Sequence, residues 1–196
     1  MASRCGRSRA AIRWVIPATC DKKSKSAVAE NLPEPWLRGP VEAVHPLVMP
    51  VFYTFTQVRE ELPQHVTGLT VEQVWTRPLD AAAPVGYHLR HLAGSADRLT
   101  TYLMGQQLTS AQMDFLRHEA DPGAGAEELL WEVNALLSGC EERLRTVKPE
   151  SLYEPRGVGR RALPSTVLGL IVHISEHTQR HLGQAITTAK IIRQRC

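Results

Sequence analysis

The sequence predicts an all-α protein: a four-helix bundle with an extra short helix and a basic N-terminal extension. Three observations carry this. Four long stretches repeat their apolar residues at helical spacing, and no run alternates as a half-buried strand would. No internal repeat breaks the chain into smaller units. At 196 residues and 43% hydrophobic content, the chain can form one well-packed domain, assigned to residues 31–196. Four amphipathic helices close most simply as an up-down-type bundle, here with one long connection.

Residues 1–30 stand apart by charge. They hold seven basic residues (Arg4, Arg7, Arg9, Arg13, Lys22, Lys23, Lys25) against Asp21 and Glu30, a net +5, which leaves −2 for the rest of a chain whose total is +3. The domain itself is therefore slightly acidic, which argues against a nucleic-acid partner. The segment before Asp21 has the Arg-rich, acid-free composition of an organellar transit peptide. The plainer reading, a disordered extension outside the bundle, is the one adopted. No apolar run approaches the roughly 18 residues that span a bilayer, so no membrane partner is expected. Cys5, Cys20, Cys140 and Cys196 form no CxxC and no regular spacing, which suggests neither a disulfide framework nor a thiolate zinc site. A reduced, cytoplasmic setting follows.

Asn31 to Pro40 is a Pro-rich lead-in, expected to be pinned by Trp36 and Leu37. The first long helix falls within Val41–Leu62, with Val44, Leu47, Val51, Phe55, Val58 and Leu62 on one face. Pro46 and Pro50 suit a first turn or a kink, so its start is as late as Pro46. His45 beside that start and His65 in the following loop read as surface residues. After a connection through GLTVEQVWTRPLDAAA, the second helix spans about Pro84–Met104 and is closed by Gly105. Its stripe is Val85, Leu89, Leu92, Ala96, Leu99 and Leu103. The short helix, about Thr109–Glu119, opens with the capping pair Thr109 and Gln112 and carries His118 on its polar side. The third long helix, about Ala126–Val147, turns Leu130, Val133, Leu137, Cys140, Leu144 and Val147 inward. The loop PESLYEPRGVGRRA lacks the spacing of a phosphate loop. Pro164 and Ser165 then open the fourth helix, Leu163–Arg193, whose stripe is Val167, Leu170, Ile171, Ile174, Thr178, Ala185, Ala189 and Ile192.

The fourth helix also carries His173, His177 and His181. With Ile174 as the inward direction, His181 lies about 20° off the core axis, His177 about 60° and His173 about 100°. Glu176 faces solvent. Two imidazoles aimed at a core need partners for their nitrogens. A shared divalent metal provides them, as do hydrogen bonds to other side chains or water, and spacing alone leaves both open. The second helix offers His88, about 40° off axis, and His91, about 100° off. A bundle helix faces two neighbours, so angle does not choose between them. Gly94 and Ser95, one turn beyond His91, leave space beside its ring. No inward Asp or Glu is evident as a general base.

His91-Leu92-Ala93-Gly94-Ser95 and His177-Thr-Gln-Arg-His181-Leu-Gly183-Gln184 together resemble the DinB-like (DinB/YfiT) superfamily, over about residues 41–193. The resemblance implies a four-helix bundle, often homodimeric, holding a divalent metal on His91, His177 and His181. Such a site keeps positions open to water. Zinc is the first choice of metal, with nickel, iron or manganese open. The implied function is a metal-dependent hydrolase or thiol transferase acting on a small molecule, including low-molecular-weight thiols such as bacillithiol or mycothiol. The alternatives are a non-catalytic metal-binding stress protein and a metal-free helical interaction module. Gln184, Tyr102 and Arg98 are the candidates to support the ligands or orient substrate. His88 and His173 are expected to be neighbours of the site.

Overall fold

The computed structural model describes residues 32–195, so the expectation of a disordered extension at residues 1–30 lies outside the described residues. Among the described residues there are six α-helices and one β-hairpin. The helices are α1 (Met49–Val66), α2 (Val71–Trp75), α3 (Val85–Leu103), α4 (Ser110–His118), α5 (Ala126–Leu144) and α6 (Val167–Gln194). The hairpin pairs β1 (Pro155–Val158) with β2 (Leu163–Thr166).

The four long helices form the bundle. Helix α6 packs on α3 and α1, and α5 packs on the other side of the same two, so α1 and α3 are diagonal, as are α5 and α6. Cross-helix pairs give the directions. His88 meets His181 while His91 meets His177, so α3 and α6 are antiparallel. Arg90 meets Glu132 while Asp97 meets Arg143, so α3 and α5 run parallel. A parallel neighbour needs a long return connection, and residues 104–125 supply it. Within that return, α4 runs back along α3, its Gln112 bonded to Asp97 and Thr101. Capping boxes start both short helices, at Thr70 with Gln73 and at Thr109 with Gln112.

The core follows the expected stripes. Phe55, Leu62, Leu89, Leu92, Leu137, Leu144, Ile171 and Ile174 are all fully buried. Cys140 is buried among them, and burial pushes its thiol up to about 11. Several boundaries differ from expectation, each for a local reason. Helix α1 begins at Met49 with Pro50 in its first turn, where a missing N–H is harmless. Leu47, ahead of it, is left exposed. The helix then continues through Pro63 to Val66, placing His65 in its last turn rather than in a loop. In the lead-in, Trp36 and Leu37 are exposed. Pro35 is the buried residue, and the Arg38–Glu60 ion pair and the Tyr53 hydroxyl on Gly39 O hold the segment.

The hairpin is the larger departure. Leu163 to Thr166 pair with Pro155 to Val158, so α6 starts only at Val167, capped by the Thr166 hydroxyl accepting from Gly169 N–H. The connecting residues turn through left-handed conformations at Gly159 and Ala162. Arg156 reaches back to donate to Leu103 O, tying the hairpin to the end of α3.

No helix among the described residues is long and apolar enough to cross a membrane. Leu89 is fully buried where α3 meets its neighbours. Leu89→Ala is therefore expected to lower stability by about 2–5 kcal/mol. Val172→Ala, on an exposed position of α6, should change it by less than about 0.5 kcal/mol. Urea unfolding followed by circular dichroism measures both.

Candidate metal centre

Helices α3 and α6 cross with their histidines face to face. Residues three apart on α3 and four apart on α6 fall on one face of each helix, about a turn apart. The antiparallel packing brings the two pairs into register. His91 Nε2 lies 3.1 Å from His177 Nε2, and the rings of His177 and His181 are 4.6 Å apart at their centroids. One nitrogen from each of His91, His177 and His181 falls within 4.8 Å of the others. His88, more deeply buried, sits beside this trio with its Nδ1 3.2 Å from His181 Nδ1. His173 lies at the exposed rim, bonded to Glu176.

Three of the rings, His88, His177 and His181, are held neutral. Burial is the largest cause and the neighbouring imidazoles add to it. Together they push His88 down to about 4, His177 to about 4 and His181 to about 3. Neutral imidazoles are the form that donates a lone pair to a metal. The fit is also geometric. Two ligands each about 2.0–2.1 Å from a tetrahedral ion are about 3.3 Å apart, close to the His91–His177 spacing. His181 Nδ1 is engaged by His88, which leaves Nε2 as its unengaged nitrogen. His177 Nδ1, on the far side of its ring from the His91 contact, is buried with no hydrogen-bond partner.

A carboxylate absent from the sequence reading completes the surroundings. Glu119, at the end of α4, is 3% exposed, and its Oε2 lies 2.8 Å from His91 Nδ1. Its other oxygen accepts from Arg98 at 2.6 Å. The expectation that no acidic residue points inward is therefore corrected. Glu119 sits on a short, polar helix whose register gives no inward stripe, and only the return of α4 along α3 brings it to the site. Gly94 makes the approach possible. A Cβ there would come within 2.6 Å of the Phe115 ring and 2.7 Å of Glu119 Oε1. The space beside His91 is thus filled by α4 rather than left open.

Of the three supporting candidates, Arg98 reaches the site through Glu119 and is buried. Gln184 is exposed on the wall of a cleft of about 720 Å³ beside His181, together with Leu79, Tyr87, His88 and Thr187. Tyr102 lies about 16 Å along α3 from His91 and packs against the core. The aromatic residue at the site is Tyr87, stacked on His91 at 5.2 Å. It was not singled out from the sequence, although its place one turn before His91 was a usable signal.

The three-histidine cluster between two antiparallel helices marks a metal-binding helical bundle, and known proteins share its fold. The DinB superfamily model matches residues 54–185, and the chain belongs to that superfamily. A crystal structure titled as the conserved protein of locus from Enterococcus faecalis superposes with a TM-score of 0.62. It covers 74% of this chain and 96% of its own at 16% identity, a likeness of fold. No curated protein matches the chain.

The depressed imidazole pKa values carry a stability consequence. The unfolded chain takes up protons at these rings near 6.5, and the folded chain only near 4 or below. Between those values the unfolded state binds more protons, so stability falls as pH drops through this window. Chelator-treated protein should show a lower urea midpoint at about pH 5 than at about pH 7. The drop should shrink in His177→Gln, which removes one of the titrating rings. An unchanged midpoint would mean that the rings are not held neutral.

Proposed function

We propose that the protein is a metal-dependent enzyme of the hydrolase or thiol-transferase type, with His91, His177 and His181 as the ligands of one divalent ion. The observation that carries this reading is the convergence of three imidazole nitrogens within 4.8 Å, one of them backed by a buried carboxylate. Three imidazoles and no thiolate suit zinc first, with nickel, iron or manganese as further choices. They also fill fewer positions than a closed structural site would. An ion held there supplies Lewis-acid chemistry, activating a water or a thiol at neutral pH.

The chain's own residues supply the rest. The cleft beside His181 is large enough for a small-molecule substrate, and Ala81–Ala83 give it an apolar wall. Gln184 and Thr187 offer the side-chain hydrogen-bonding groups with which a substrate can be oriented there. Tyr87 covers the outer face of the His91 ring. A low-molecular-weight thiol is the co-substrate that the superfamily resemblance suggests. The same resemblance sets a homodimer as the expected oligomeric state, which light scattering reads directly.

Elemental analysis of protein purified without an affinity tag should find close to one divalent ion per chain. Zinc titration should find tight binding abolished in His91→Ala. His88→Ala should retain a measurable site, weakened about 10–100-fold. Metal-free protein with no zinc affinity would leave a helical interaction module as the reading. Full affinity in His91→Ala, with none in His88→Ala, would exchange the roles of the two residues.

A further inference from the structure

Glu119 belongs to neither histidine motif, yet it is more buried than any of the four histidines around the site. Its two oxygens are divided between two donors of different kinds. Arg98 Nη1 takes Oε1 at 2.6 Å, and His91 Nδ1 takes Oε2 at 2.8 Å. A guanidinium is always protonated and only donates, and a carboxylate only accepts. His91 must therefore present a proton at Nδ1. In the neutral ring this leaves the lone pair on Nε2, the nitrogen that lies 3.1 Å from His177 Nε2. We propose that Glu119, with Arg98 behind it, is the positioning residue that selects the metal-ready tautomer of His91. This rests on the three-histidine reading above.

The fold is arranged to keep the pair in place. Glu119 is carried on the return segment after α4, which Arg90 ties down by donating to His118 O and Asp121 O. The other end of α4 is held by Gln112 on Asp97 and Thr101, and Arg143 of α5 bonds the same two residues. Gly94 supplies the clearance. None of these contacts touches an imidazole. Together they fix the height of the carboxylate along α3.

The division of the two oxygens makes an unusual outcome testable. In Glu119→Gln the single amide oxygen must still face Arg98, which can only donate. The amide NH₂ then faces His91 Nδ1, and it too can only donate. His91 is driven to carry its proton on Nε2, which places an N–H where a lone pair is needed. Removing Arg98 as well frees the amide to turn and offer its oxygen to His91. Glu119→Gln should therefore lower zinc affinity about 100-fold, the upper end for a residue behind a ligand. The double variant Arg98→Met/Glu119→Gln should bind at least about ten-fold more tightly than Glu119→Gln alone. A merely structural role predicts the reverse, since the second substitution removes a further buried contact.

Zinc affinity by chelator competition is one measurement, with circular dichroism confirming that each variant is folded. The second is the imidazole ¹⁵N–¹H spectrum of the metal-free protein at neutral pH. His91 should be the neutral Nδ1–H tautomer in the unsubstituted protein and the Nε2–H tautomer in Glu119→Gln. An Nε2–H or doubly protonated His91 in the unsubstituted protein would overturn the proposal. So would an unchanged tautomer in Glu119→Gln, or a double variant as weak as the single one. If the protein binds no zinc at all, the proposed function fails, and the tautomer spectra still decide the role of Glu119.

Discussion

The antiparallel seam between α3 and α6 is the constraint on which the rest of the structure depends. Four imidazoles meet there across two successive turns of each helix. Apolar surroundings would ordinarily exclude so many polar rings. Here burial keeps three of them neutral well below the ordinary histidine value, so no net charge accumulates from those rings at neutral pH. The flanking layers are conventional: Leu89, Leu92, Ile171, Ile174 and Leu182 are buried and pack as an ordinary bundle core. The seam thus combines a rigid apolar frame with a polar layer whose nitrogens are only partly satisfied by protein groups.

The direction of α5 determines what surrounds that layer. Because α5 runs parallel to α3, the chain must travel back the full length of the bundle between them, and the return segment lies on α3. An ion pair such as Asp97–Arg143 or Arg98–Glu119 is weak support for stability once desolvation is counted. Its value here is geometric. The pairs fix where α4 begins and ends, and the end of α4 is where the buried carboxylate meets His91. The crossover segment thereby forms one wall of the candidate centre.

Much of this was legible in the sequence because helices are local. The 3.6-residue period sorted the buried stripes of all four long helices, and Thr109 with Gln112 marked the short one. The two histidine motifs, separated by more than eighty residues, are the ones that the structure brings together. His88 is the more buried of the two α3 histidines, whereas His91 lies between α6 and the end of α4.

What tertiary structure alone decided is non-local or too short to be periodic. Four-residue strands at Pro155–Val158 and Leu163–Thr166 leave no alternating signature, and only their mutual pairing delays the start of α6 to Val167. Pro63 ends a helix by propensity, yet α1 continues through it to Val66. Glu119 is the clearest case. On a short polar helix it reads as a solvated charge. It becomes a buried partner of His91 because α3 and α5 are parallel, α4 must return between them, and Gly94 lets it approach. The periodicity of side chains along a helix is set by nearest neighbours in the chain and can be read residue by residue. The direction in which one helix passes another depends on the packing of all of them at once, and that direction placed Glu119.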